Sequence, residues 1–455
     1  MRGEIRAMWT LAWPVVVAEV GWLVMGIVDT IMVAPLGAAA IGAVGAGSII
    51  FMAIMMPGFG TLLALDTFVS QSYGAGRIDE CHRWLFAGIH LAIGMTLVLS
   101  AASFGTVWLL PRLGFHPDVL AELTPYMTHL VWSVAPLFGY LVFRRYLQAM
   151  NIVRPIMAAL ITANIVNVLA NWVLITGRYG FPALGVVGAA YATVFSRLGM
   201  ALFLIGLVVI GERRRPSGLH DVPFTIDLAR MWTVVRVGLP AAGQLLLEVG
   251  VFATASALAG RITPAAVAAH QIVLNVAGFI YMIPYGIGTA AAVRVGQAVG
   301  RGDGPGMRMA GWVALGLATS VMTVSAVLFS TLPRPLVRIF TTDVQIVDIG
   351  ASLLLVAAVF QLCDGLQTVA TGALRGLGET RLPFFWNLAG HWFVGLPIGY
   401  HLAFSQGLGV LGLWIGLSIG LIMIGLALLI GWHRHSRSWE RAAREGDGDH
   451  APEPA

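Results

Sequence analysis

Three carboxylates, Asp29, Glu248 and Asp364, interrupt runs of Leu, Val, Ile, Ala and Gly that are long enough to lie in lipid. A charge at the bilayer centre costs about 2.5 to 3.5 kcal/mol on insertion scales, so three acids would oppose insertion by roughly 10 kcal/mol unless they face a polar interior. Chains keep such residues mainly to handle ions or substrates, which makes a transporter the first expectation. Asn167 and Asn171, in NIVNVLANW, share one helical face. Together with Asp29 they can form a polar pocket whose amides donate to or accept from the carboxylate as its proton comes and goes. The plainer reading of the same trio is an interhelical hydrogen-bond clasp with no transport chemistry. Glu248, in LLLEVGVFA, and Asp364, in FQLCDGLQT, sit near the middle of their runs. Two carboxylates in a low-dielectric site resist being ionised together, which suits proton binding. Both ionised beside carbonyls and amides would suit sodium, with Glu248 and Asp364 as its metal ligands.

Other titratable residues carry weaker signals. Glu19 precedes Asp29 by ten residues, about 280° around a helix, so it faces elsewhere and fits a buried hydrogen bond or an interlobe contact. Asp66, in LLALDTFVSQSYGAGR, fits a structural or gating role through an Arg on the neighbouring loop. His90, His129, His270 and His391 also fall in or near apolar runs, where a neutral, hydrogen-bonded ring is the default. The chain has no Lys for a phosphate-binding loop, no HExxH and no CxxC, so ATP hydrolysis and familiar hydrolase chemistry lack residues to carry them. The expectation is therefore not an enzyme, no cofactor, and transport driven by a gradient.

The elements that must position these groups are membrane spans. Of 455 residues, 58% are hydrophobic and 11% charged, against about 25% charged in a soluble domain. Cys81 and Cys363 lie in different settings, so neither a disulfide framework nor a metal cluster is implied. The first apolar run, about 10–35, is longer than a signal-peptide centre and reads as an uncleaved span. Runs of a length to cross about 30 Å of hydrocarbon fall near 10–34, 41–66, 84–110, 122–147, 156–176, 186–211, 233–259, 265–293, 309–333, 345–373, 382–402 and 408–432. This is an all-α polytopic membrane protein with twelve transmembrane helices. The net charge of +5 comes with 27 basic residues that are all Arg and cluster beside apolar runs. Twenty-one fall on the side of the termini and five on the other, with Arg197 inside a span. That bias places both termini in the cytoplasm and makes nucleic acid an unneeded explanation.

The polar stretch from Gly211 to Trp232 divides the spans six and six. The expected organisation is a six-helix lobe at 1–211, a cytoplasmic linker at 212–232, a second lobe at 233–432 and a disordered cytoplasmic tail at 433–455. The two lobes also align with each other. The segment from Trp13 and the segment from Leu239 match without a gap at an offset of 226, placing Pro14 on Pro240, and QSYGAGR at Gln71 meets QAVGRGD at Gln297 at the same offset. Further on, GVVGAAYATVFSRLG at Gly185 resembles GVLGLWIGLSIG at Gly409. Parallel six-span repeats imply two pseudo-symmetric lobes and favour alternating access. At that offset Asp29 falls on Ala255 and Glu248 on Trp22, so the lobes do not carry equivalent acids.

These residues also resemble a known family. MGIVDTIMV, LALDTFVSQSYGAGR, NVLANW, GLPAAGQLLLEVGVF and FQLCDGLQTVATGALRGLGETRLPF are similar to motifs of the multidrug and toxic compound extrusion (MATE) family, in particular its NorM-like bacterial branch. The resemblance covers nearly all of 10–432, and its last motif is the most specific. It implies two six-helix lobes around a V-shaped cavity, in a monomer of the plasma (cell inner) membrane. It also implies a secondary antiporter that exports cationic or amphiphilic compounds in exchange for inward Na⁺ or H⁺. Position by position, Asp29, Asn167 and Asn171 match the N-lobe polar site, and Glu248 and Asp364 the C-lobe cation site. Asp66 matches an acid found in part of the family, and Glu19 has no fixed counterpart. The rival transporter is a flippase or exporter of lipid-linked saccharides or another metabolite on the same scaffold, which would offer an Arg-lined cavity. A passive channel would not need the repeat.

Overall fold

The computed structural model describes residues 2–445, and the segment 446–455, part of the expected tail, lies outside the described residues. Among the described residues, eleven helices are long and apolar enough to cross a membrane. They are α1 (Arg2–Val33), α2 (Ala38–Gly74), α3 (Ile78–Leu109), α4 (Pro117–Ala149), α5 (Arg154–Thr176), α6 (Val186–Arg214), α7 (Leu228–Ala259), α8 (Pro264–Gly300), α9 (Gly304–Thr331), α10 (Val344–Gly376) and α12 (Gly409–Glu445). The twelfth span, α11, is helical through 381–405 but changes winding: Arg381–Asn387 and Leu396–Tyr400 are α-helical, Leu388–Gly395 and His401–Ser405 π-helical. One feature departs from the sequence reading. The tail does not lose structure after Trp432, since α12 runs on to Glu445 and Arg308 of α9 pairs with Glu440 at 3.2 Å. The glycine patterns GLGVLG and GLSIG at 407–420 have the spacing of dinucleotide and hydrolase turns, yet they lie at the start of α12 and within it, and Ser418 Oγ donates to the Trp414 carbonyl at 2.6 Å.

The chain divides into two compact units, one of residues Val17–Ala242 and one of Met1–Val16 with Gly243–Ala455. In the first unit the core is a continuous cluster that includes Phe51, Met55, Leu65, Tyr126, Phe138 and Tyr140. Two adjacent arginines at the end of α4 tie it together. Arg144 pairs with Glu19 of α1 and is buried, and Arg145 Nη1 donates to Asp66 Oδ2 of α2 at 3.1 Å with both side chains almost fully enclosed. Glu19 is thus half of a buried ion pair, as its place suggested. Asp66 is paired with an Arg, but that Arg is on a helix, not on the neighbouring loop. The linker is ordered against the same unit. The Glu212 carboxylate, buried at the end of α6, accepts from the backbone N–H groups of Ser217, Gly218 and Leu219 at 2.9 to 3.0 Å, and His82 bridges the Ser217 carbonyl and Tyr146 Oη.

In the second unit small residues bring backbones together, as apolar helices in lipid require. A Cβ at Gly372 of α10 would stand 2.0 Å from the Gly288 carbonyl of α8, and one at Gly416 of α12 would stand 2.2 Å from the Gly399 nitrogen of α11. The repeat is visible in the chain path of both units. Gly76 and Gly302 adopt left-handed φ of 73° and 69°, a conformation in which glycine has no Cβ penalty. Around each, three backbone bonds recur at the 226-residue offset: Ala75, Gly76 and Arg77 bond to Gln71, Tyr73 and Ser72, and Arg301, Gly302 and Asp303 to Gln297, Val299 and Ala298.

Close approach at Gly416 carries a prediction. Gly416→Val overpacks the α11–α12 contact and lowers stability by about 1 to 3 kcal/mol, seen as a lower melting temperature of the detergent-solubilised protein, while Gly105→Ala, with no atom near the added Cβ, leaves it unchanged.

Candidate functional site

In the first unit Asp29 of α1 is buried in a cage of donors. Its Oδ1 accepts from Asn167 Nδ2 at 3.0 Å and Asn171 Nδ2 at 2.7 Å, and Asn171 Nδ2 also reaches Asn167 Oδ1 at 3.1 Å. Both amides are fully enclosed. The two asparagines are one helical turn apart on α5 and must face α1 together, so the sequence-predicted trio is assembled. One ligand was not anticipated. Thr193 of α6 places Oγ1 3.3 Å from Asp29 Oδ2 and 3.2 Å from the Ala189 carbonyl, and a lone Thr in a span gives no signal of its own.

A turn beyond Thr193 on α6 stands Arg197, also buried. Its Nη1 donates to Ser133 Oγ at 2.6 Å, its guanidinium lies 4.9 Å over the Phe51 ring, and its Nε has no hydrogen-bond partner. Arg197 forms no ion pair among the described residues, although Asp29 is within range of its field. The hydroxyl of Tyr126, 3.3 Å from Ser48 Oγ, shares that field.

In the second unit Glu248 of α7 accepts from Tyr281 Oη of α8 at 3.1 Å. Asp364 of α10 is close enough to Glu248 for the two charges to repel, and Tyr281 feels both. The Tyr281 ring lies tilted against that of Tyr285, centroids 6.1 Å apart. Neither acid points at the apolar outer face of its helix. Glu248 shares a stripe with the buried Gln244, Val251 and Ala255, about 160° from Leu246 and about 100° from Val249, which are 40% and 46% exposed. Asp364 lies about 180° from Leu355 and about 140° from Val359, the most exposed residues of its stretch at 48% and 67%. Both acids are half-buried. Tyr281 was missed in the sequence, where only the pair of tyrosines four apart around Pro284 hinted at a polar tip within a span.

The histidines divide. His90 and His129 bond to the carbonyls one turn back at 2.8 and 2.7 Å, and His270 lies between Trp414 Nε1 and Ser256 Oγ at 2.9 Å each, so all three fit the satisfied default. His391 is fully enclosed and neither ring nitrogen has a partner. It sits in the π-helical part of α11 beside Phe252, and its neighbour Trp392 donates to the Leu247 carbonyl at 3.1 Å.

A model of the MatE family matches this chain twice, at residues 14–173 and 240–401, two segments whose starts differ by the offset of the repeat. The chain belongs to the MatE family. It is 35% identical to a probable multidrug resistance protein NorM of Mesorhizobium japonicum, over 96% of this chain and 95% of that one. It is 32% identical to the multidrug resistance protein MdtK of Edwardsiella ictaluri, over 97% and 99%. Among solved structures, the eukaryotic MATE transporter AtDTX14 superposes with a TM-score of 0.83 at 23% identity, covering 97% of this chain and 99% of that one. A MATE structure in the bent conformation gives 0.86 at 19%, covering 97% of each. The fold is that of MatE transporters, a multi-pass membrane protein of twelve helices.

The Asp29 cage makes a measurable prediction. Asn171→Leu leaves a buried carboxylate short of a donor and costs about 1 to 2 kcal/mol. In an Asp29→Leu background the same change costs much less, and a double-mutant cycle on thermal unfolding reads the difference.

Proposed function

We propose that this protein is a secondary active antiporter of the inner membrane that exports cationic or amphiphilic organic compounds in exchange for inward Na⁺ or H⁺. The observation that carries this reading is the Glu248–Tyr281 contact with Asp364 beside it, a pair of acids from α7 and α10 held away from the apolar outer faces of their helices. Two neighbouring carboxylates at membrane depth form a site for one positive charge at a time. A coupling ion and an organic cation that compete for that charge exclude each other, and the exclusion couples their fluxes. Tyr281 supports the pair in two ways: its hydroxyl donates to the ionised acid, and its ring offers a face to a cation. Asp29, Asn167, Asn171 and Thr193 form a second ion-sensitive group in the other unit, while the buried partners of Glu19 and Asp66 favour a structural role for both. The names of the NorM and MdtK relatives support a multidrug substrate range, and the Arg bias supports cytoplasmic termini.

Energetics restrict the exchange. One charge moving inward across ~100 mV releases ~2.3 kcal/mol, about a fiftyfold gradient at ~1.4 kcal/mol per tenfold. Swapping one monovalent drug for one ion is electroneutral and draws nothing from voltage, so the ion gradient or additional ions must supply the drive.

Ethidium efflux from proteoliposomes, with sodium and pH gradients imposed separately, tests the proposal. Efflux should follow one of the two gradients, and Glu248→Ala or Asp364→Ala should reduce it to the level of empty vesicles while the protein remains folded in the membrane. Full efflux in both variants removes the coupling site, and no ethidium transport under either gradient turns the reading toward a lipid-linked saccharide.

A further inference from the structure

After Asp364 the polar residues of α10 continue in one line. Thr371 and Arg375 lie within about 20° of Asp364 around the helix, and Gln367 and Thr368 flank the line by about 60° and about 40°. It runs about 16 Å along the axis, half of a ~30 Å hydrocarbon layer, into the last turn before Gly376. Part of it is left without partners among the described residues. Gln367 is 1% exposed; its Nε2 donates to Asn387 Oδ1 of α11 at 3.4 Å, while its Oε1 accepts from nothing. Thr371, one turn further on, has a buried Oγ1 that also bonds to nothing. Thr319, Thr323 and Thr368 each donate to the carbonyl four residues back, so Thr371 forgoes the bond that a helix offers it. A buried acceptor and a buried hydroxyl a turn apart on one face are surroundings that an ordered water satisfies. The line is flanked on both sides. An added Cβ at Gly372 or Gly376 would stand 2.0 and 2.6 Å from the Gly288 and Ala292 carbonyls of α8, and Gln367 reaches α11 on the other side. At the membrane-centre end Tyr281, which donates to Glu248, lies beside Thr368.

We propose that this face of α10 is a narrow water passage through which the Glu248–Asp364 pair exchanges its coupling ion with the cytoplasm, with Gln367 and Thr371 holding a water between them. The residue types fit that task. Their oxygens and amide can bind water or pass a small ion, and none carries a charge that would trap it. Width separates the two fluxes. Where α10 packs backbone to backbone on α8, no organic cation fits, so the ion leaves by a path that the exported compound cannot enter. The inference rests on the acid pair being the coupling site proposed above, with the Gly376 end of α10 on the cytoplasmic side. Its first test reads access to the passage and needs no efflux, so it decides the passage even where the coupling proposal fails.

The experiment uses the full chain in inside-out membrane vesicles, with Cys81→Ala and Cys363→Ala and one cysteine added at a time. Thr371→Cys lies on the line; Val369→Cys, at a fully buried position about 140° from Asp364, is the control. Silver ion, small and thiol-reactive, is added on the cytoplasmic side, and the thiols it leaves are counted with a maleimide after denaturation. Thr371→Cys is expected to be blocked at least about tenfold faster than Val369→Cys. Equal rates at the two positions, or blocking of Thr371→Cys from the outer side alone, overturns the proposal. A second arm combines Gln367→Leu with Thr371→Val, which removes both partners of the water. Ethidium efflux is expected to slow about tenfold with ethidium binding to the purified protein unchanged, a split that a merely structural defect would not give. Undiminished efflux in the folded double variant overturns the proposal as well.

Discussion

A charge inside hydrocarbon has to arrive with its partner, and this constraint organises the protein. Water cannot rescue an unpaired group there, and four of the acids in the spans meet a partner from another helix. Asp29 is met by α5 and α6, Glu19 and Asp66 by α4, and Glu248 by α8. Each such contact does two things: it offsets desolvation and it fixes which helices are neighbours. The polar groups of the candidate site are thereby also the groups that specify the packing of otherwise interchangeable apolar helices.

Twelve spans and the two-fold repeat were legible because they are written in composition and period. The run lengths give the helices, and the offset of 226 reappears in the left-handed glycines at 76 and 302 and in the bonds around them. Glycine was informative there since no other residue adopts that turn cheaply. The acids and amides of the site were legible for a different reason. A polar residue amid Leu and Val is costly, and cost is visible in one dimension.

What stayed hidden was whatever the membrane tolerates without a penalty. Thr193 bonds to its own backbone in any helix, and Tyr281 reads as an aromatic in an apolar run, so neither announces that it reaches an acid on another helix. The partner of Asp66 was sought in a loop since an Arg at the end of a span looks like an orientation signal, yet Arg145 is turned inward. The π-helical winding of α11 left no mark in the sequence at all: Gly390, Gly395 and Gly399 lie against the backbone and side chains of α12, and nothing in their spacing signals a widened turn.

The adjacent arginines of α4 also bear on how the chain is made. Ribosomes deliver α1 and α2 to the membrane first, each carrying an acid whose counter-charge has not yet been translated. Until residues 144 and 145 emerge, each of those acids is carried at a cost of about 2.5 to 3.5 kcal/mol if it lies charged at the bilayer centre. The arrival of α4 is therefore the point in synthesis at which both acids of this half acquire their counter-charges.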